Sequence, residues 1–358
     1  MDKYKISLED SVMVKGSPVT AGSKILENFI SPLDAEVVER LRGAGISISG
    51  KTAMKEFGIS GVIENNALSG SAEAILNKTV SYCLCNDLFG QYRRESAENG
   101  LCYIHPTYGT VSRYGLIPIA SSMDQIGVMC ENLADGFAVL SVIAGNDPKD
   151  GAMFPDKNYK YENNCGAVKI GVPAEIINQA DTDTQNAVRE FAGKFASVDC
   201  KFDYFDVCPQ TMYILSAAEI SNNINRYDGV KFGYRSPGSA NLESLYENTR
   251  TEGFGIETKL AAIMGSMVLS ADKYEIYYEK AMKIRRLIKE SLNFGNYDVI
   301  ILPAAINGGS YENLALYSIA QLAGLPAVSF TYNGKGIQLI AKAKNENALL
   351  TAWEVSTQ

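Results

Sequence analysis

The spacing of apolar residues along the chain changes period several times, and each change marks an element. Val37, Val38 and Leu41 recur at helical spacing behind Asp34, which can cap the helix, and Gly43 is placed to end it. Residues 46–49 (ISIS) then alternate apolar and polar, the pattern of a strand. Leu133, Phe137, Leu140 and Ala144 predict a helix over 132–144 with Gly145 as its stop. Residues 168–173 (VKIGVP) read as a buried strand. A helix through Val188, Phe191 and Phe195 follows, then a strand over 200–207 (CKFDYFDV).

Farther on, Tyr274, Tyr277, Tyr278, Ala281, Ile284, Leu287, Ile288 and Leu292 form one stripe of a long helix over 272–292, which reads as core. Residues 297–304 (YDVIILPA) are a fully apolar strand, and 322–330 and 336–343 predict two more. Strands alternating with helices, punctuated by Gly and Pro, predict an α/β fold: one large mixed sheet covered by helices on both faces. No repeat, low-complexity tract or linker-like shift interrupts the pattern, so residues 1–358 read as a single domain.

Composition narrows the picture. With 358 residues, 46% of them hydrophobic, the chain can bury a large core, yet no run reaches the roughly eighteen apolar residues of a membrane span. The N-terminal MDKYKISLED is polar, which predicts a cytoplasmic protein. A net charge of −8 gives no general attraction for nucleic acid or an anionic membrane. The most basic run, KIRRLIK at 283–289, falls on the polar face of a helix. Cysteines 83, 85, 102, 130, 165, 200 and 208 lack framework spacing and read as reduced, buried thiols. With His105 the only histidine and no C-x-x-C clip, neither a metal site nor a cofactor is expected.

One motif invites a nucleotide. Residues 45–52 (GISISGKT) match the phosphate-loop pattern G-x-x-x-x-G-K-[ST]. A phosphate loop, however, follows its strand, whereas here the variable positions are themselves strand-patterned and stiffened by β-branched residues. No acidic Mg²⁺ partner trails a later strand, since Asp298 precedes VIILP. Lys51 therefore reads as scaffold.

Four longer strings carry a resemblance: SKILENFISPLDAEVVERLRGAG, GKTAMKEF, PTYGTVSRYGLIPIASSMDQIG and VIAGNDPKD. They resemble the amidase signature family. RYDGVKFGYR, TRTEGFG, YYEKAMKIR and YDVIILP resemble in particular the A subunits of glutamyl-tRNA(Gln)/aspartyl-tRNA(Asn) amidotransferases. The resemblance covers nearly the whole chain, beginning about where the family's catalytic lysine segment begins and so without its N-terminal helices. It implies a protein that hydrolyses glutamine and passes ammonia on, with B- and C-subunit partners. It also implies a serine nucleophile, a second serine in a cis peptide, and a lysine held neutral as base.

At those positions the chain departs from the family. The lysine frame K-D-N-I, followed by K-G, reads EDSVMVKG here, which puts Glu9 at the lysine's place as an anion. The nucleophile frame D-T-G-G-S-I-R reads DLFGQYR, so Gln91 stands for the serine and Leu88 and Phe89 for Thr and Gly; Asp87, Gly90 and Arg93 match. The Gly/Ser loop shrinks to LSGS over 68–71, with Ser69 as the remnant of the cis serine. Leu260 and Ala261 occupy the place of a double arginine, one of which holds the glutamine carboxylate in the resembling A subunits, and Leu314 that of an aspartate for its amino group. Leu and Ala supply neither charge.

Three readings follow. The first is a pseudoenzyme, an A-subunit-like scaffold or binding partner in an amidotransferase-like assembly. The second keeps amide hydrolysis through a replacement nucleophile among Cys83, Cys85 and Cys102, with His105 as base; against it, a reactive thiolate needs an electropositive neighbour. The third is a module that holds a small ligand without turning it over.

Overall fold

The computed structural model of the chain describes residues 5–60, 67–163 and 166–357. Its strands are β1 (Ile6–Glu9), β2 (Ile48–Thr52), β3 (Tyr82–Asn86), β4 (Cys102–His105), β5 (Ile126–Cys130), β6 (Lys169–Val172), β7 (Ala196–Asp199), β8 (Val299–Pro303), β9 (Ala327–Tyr332) and β10 (Lys335–Ala341). They form one sheet in the order β2-β1-β3-β5-β4-β9-β10-β8-β6-β7. Pairing is parallel at both ends, where β1 joins β2 and β3 and where β6 joins β7 and β8. It is antiparallel through the middle.

The α-helices are α1 (Glu36–Gly43), α2 (Gly70–Leu76), α3 (Gln91–Glu98), α4 (Leu133–Ile143), α5 (Ala174–Ile177) and α6 (Thr182–Gly193) in the first half. Those of the second half are α7 (Cys208–Ile224), α8 (Leu242–Gly253), α9 (Ile256–Val268), α10 (Lys280–Ser291), α11 (Ser310–Ala323) and α12 (Glu346–Thr357). Helices cover both faces of the sheet. On one face Ile6, Leu8, Leu84, Val128 and Leu339 meet Val37 of α1, Phe137 of α4 and Leu349 of α12. On the other, Leu302, Ala327 and Ile340 meet Met212 of α7, Ile288 of α10 and Leu316 of α11. Strand alternation sends Ser7, Glu9, Cys83, Cys85 and Tyr103 to that second face, where α2 and α3 cover the cysteines and Tyr103.

Several expected boundaries move, each for a local reason. Asp34 does not cap α1; its carboxylate accepts the Lys15 N–H at 2.9 Å and pairs with Arg42, leaving Ala35 at the N-cap. The expected strand at 46–49 starts at Ile48, because Gly45 (φ +73°) and the Ile46 N–H, bonded to Leu41 O, still close the end of α1. Lys51 and Thr52 thus lie in a strand, and Lys51 pairs with Asp10 at 3.0 Å. The strand at 200–207 is instead β7, an exposed edge too polar to show in the pattern; residues Phe205–Val207 form a 3-10 turn.

The helix through Phe195 stops at Gly193, and the strand expected from residue 322 begins at Ala327, since α11 runs through Ala323 to Gly324 (φ +69°). The stripe at 272–292 is not one core helix. A π-helical turn, Glu275–Glu279, precedes α10, and Tyr274, Tyr277 and Leu287 are exposed while Ala281 and Ile288 are buried. Nor is the basic run wholly solvated, because Arg285 donates to Leu322 O and to both oxygens of Ser122. Cys165 lies outside the described residues.

Candidate active site

β1 and β3 run parallel, with Leu8 opposite Leu84, and both deliver their carboxyl ends to one edge of the sheet. In sheets of this kind, sites gather where the strands end. Glu9 is the last residue of β1, and Asn86, the last of β3, leads through 87–90 into α3.

Glu9 is completely buried. Its Oε2 accepts the Asn86 N–H at 2.5 Å, and its Oε1 has no hydrogen-bond partner. Burial, reinforced by the nearby Asp87 and Asp124 carboxylates, outweighs the Asn86 bond and the neighbouring Tyr92 hydroxyl and pushes the carboxyl up to about 8. Glu9 is therefore a neutral acid near pH 7, which corrects the anion expected at this position. Desolvation decides its charge.

Asp87, Gly90 and Arg93 act as a fastener. Asp87 accepts the N–H groups of Tyr92 and Arg93 at 3.1 and 3.4 Å, which caps the first turn of α3. Its Oδ2 also takes Arg93 Nε at 2.6 Å, in a pair with no solvent exposure on either side chain. Arg93 donates onward to Tyr317 O, Gln338 Oε1 and Gln321 Oε1. Gly90 turns the chain at φ +80°, and a Cβ there would stand 2.3 Å from Tyr317 Cβ.

Gln91 and Ser69 are brought together through a residue that sequence reasoning missed. Gln91 Nε2 donates to Glu95 Oε1 at 2.6 Å, and Glu95 Oε2 accepts the Ser69 N–H at 3.2 Å. The i,i+4 spacing of Gln91 and Glu95 on one helix carried that signal. Ser69 Oγ accepts the Ala72 N–H as N-cap of α2. Ser71 was missed as well: its Oγ bonds Thr52 Oγ1 at 2.7 Å and lies 3.3 Å from Cys85 Sγ. No hydrogen bond among the described residues joins Glu9 to Gln91 or Ser69.

Burial pushes the Cys83 and Cys102 thiols up to about 12 and the Cys85 thiol well above its ordinary value. His105 is completely buried, and burial together with the Arg93 charge holds it well below its ordinary value, so it stays neutral. Neither a thiolate nor a poised base results.

Gln91, Lys55, Ser60, Arg94, Asn313 and Leu314 line a cavity of about 30 Å³, room for about one water. Leu314 is buried in its wall. Leu260 and Ala261, on α9, line a separate and larger hollow. Phe89 borders both spaces and packs on Tyr213 with centroids 5.8 Å apart. Among the described residues no three His, Cys, Asp or Glu side chains converge as a metal site, and no helix is long and apolar enough to cross a membrane.

The sequence and the fold belong to a known class. A family model described as Amidase matches residues 5–70 and 68–350, and the chain belongs to that family. It is 36% identical over 401 residues to the A subunit of the glutamyl-tRNA(Gln) amidotransferase of Lachnoclostridium phytofermentans, covering 97% of this chain and 81% of that protein. The corresponding A subunit of Acinetobacter baumannii is 35% identical, covering 96% and 80%. Among solved structures, the A subunit from Thermotoga maritima superposes with a TM-score of 0.73 at 26% identity, over 97% of this chain and 81% of that one. The peptide amidase of Stenotrophomonas maltophilia gives a TM-score of 0.78 at 22% identity, over 99% and 82%, and shares the fold.

Proposed function

We propose that the chain is an amidotransferase A-subunit-like protein without glutaminase chemistry, serving as a scaffold or binding partner. The observation that carries this reading is Glu9: a buried, neutral acid where the resemblance places the basic lysine. A carboxyl that holds its proton near pH 7 does not take one from a nucleophile. Gln91 has no ionisable hydroxyl, its amide is held by Glu95, and Ser69 Oγ is engaged in capping. The positions Leu260, Ala261 and Leu314 offer no charge to a zwitterionic amino acid.

The retained scaffold supports docking of B- and C-subunit-like partners, as the resemblance implies. The test is ammonia release from glutamine and asparagine by the purified chain, alone and with such partners, alongside their co-purification. No turnover above the blank is expected. Turnover that disappears in Ser69→Ala or Cys85→Ala would overturn the reading.

A further inference from the structure

We propose that the cavity beside Gln91 binds a small monovalent anion, a halide or the head of a carboxylate, between Lys55 and Arg94. Both cations line this space, where Ser60, Ser310 and Asn313 supply polar wall and no carboxylate among the described residues takes part. Both are half-buried, and no hydrogen bond or ion pair among the described residues engages the Lys55 ammonium or the Arg94 guanidinium. Like charges left unpaired beside one small cavity repel each other. An anion between them replaces that repulsion with charge-assisted hydrogen bonds. Burial holds the Lys55 ammonium below its ordinary value, and the Arg94 charge adds to this against the pull of Glu257 and Glu95.

Further features select the ligand. Ser60 is 6% exposed and lines the cavity, and no hydrogen bond among the described residues engages its hydroxyl, which leaves a donor for an acceptor. Gln91 opens α3 and Ser310 opens α11, which brings the positive ends of two helix dipoles to the same space. Two acids near those ends are engaged elsewhere, Asp87 with Arg93 and Glu312 with the Gly309 N–H at 2.8 Å. About 30 Å³ admits a group the size of one water, which suits a halide or a carboxylate head and is too small for a phosphate group. An amino acid is disfavoured, because its ammonium would meet two cations and, at Leu314, no acid. The inference rests on the reading of this site as one that binds without turnover, but binding and ammonia release are separate readouts, so each can fail alone.

The test is ³⁵Cl NMR line broadening by the purified full chain, titrated with chloride at an ionic strength held constant by a bulky sulfonate. Saturable excess broadening is expected, displaced by acetate but neither by acetamide, its neutral counterpart, nor by glycine. Lys55→Gln and Arg94→Gln should each weaken binding roughly tenfold or more, with circular dichroism showing that both fold. Lys55→Arg, which keeps the charge, should retain most of it. Lys283→Gln, at an exposed position of α10, should leave it unchanged. Displacement by acetate below the chloride Kd assigns the site to carboxylates, and displacement only above it assigns the site to halides. No saturable broadening, or broadening that survives both Lys55→Gln and Arg94→Gln, would overturn the proposal. Equal displacement by glycine and acetate would also overturn it and return the site to amino acids. Ammonia release from glutamine with anion binding intact would overturn the turnover reading alone.

Discussion

Replacing Glu9 by glutamine removes one titration from the core and leaves an acceptor for the Asn86 N–H. The folded carboxyl is raised from 4.5 to about 8, chiefly by burial. A raised carboxyl makes the folded state bind its proton more tightly than the unfolded state does. Its contribution is therefore fully present below about pH 4.5 and fades as pH climbs through about 8. At about 1.4 kcal/mol for each pH unit, the full span corresponds to about 5 kcal/mol. For a chain of this length that is a shift in Tm of about 7 °C. Urea unfolding of wild type and Glu9→Gln should agree within about 1 kcal/mol at pH 5. At pH 9 the variant should be the more stable by up to about 5 kcal/mol. Parallel pH profiles would refute the buried neutral acid, and with it the proposal that this position supplies no base.

Two further outcomes follow from the same region. Arg93→Ala strands the Asp87 carboxylate in a site without solvent and should cost about 3–5 kcal/mol in urea unfolding; a loss under 1 kcal/mol would contradict the fastener. Iodoacetamide at pH 7.5, read by peptide mass spectrometry, should leave Cys83 and Cys85 unmodified in the folded chain and label Cys200 first among the described cysteines, since its thiol, at about 11, is the least buried of them. Rapid native labelling of Cys85 would restore the replacement-nucleophile reading.

Much of the fold was legible because strong periodicity survives where packing is uniform. Val37, Leu41, Phe137 and Leu140 each sit in the core where their spacing placed them. The misses occur where packing or capping competes with pattern. Edge strand β7 buries too little to show alternation, and Tyr274 and Tyr277 satisfy a helical stripe yet face outward around a π turn. At the site, Glu9 and Gln91 could be singled out by residue type. Glu9's protonation could not, because charge in a core depends on desolvation by distant segments. Glu95 and Ser71 were overlooked because their bonds to Ser69 and Thr52 run across elements rather than through a motif of their own.

The Arg93 fastener has a consequence for how such a protein changes over generations. It joins a loop near residue 90 to Tyr317, Gln321 and Gln338, more than 220 positions away in the chain. Selection for a folded molecule alone therefore polices Asp87, Gly90 and Arg93, while the side chain of Gln91 between them is tied only locally, through its bond to Glu95. Under the proposed loss of turnover, position 91 is freer to drift than the frame around it. A lineage can thus keep the outline of an enzyme long after the reaction has gone.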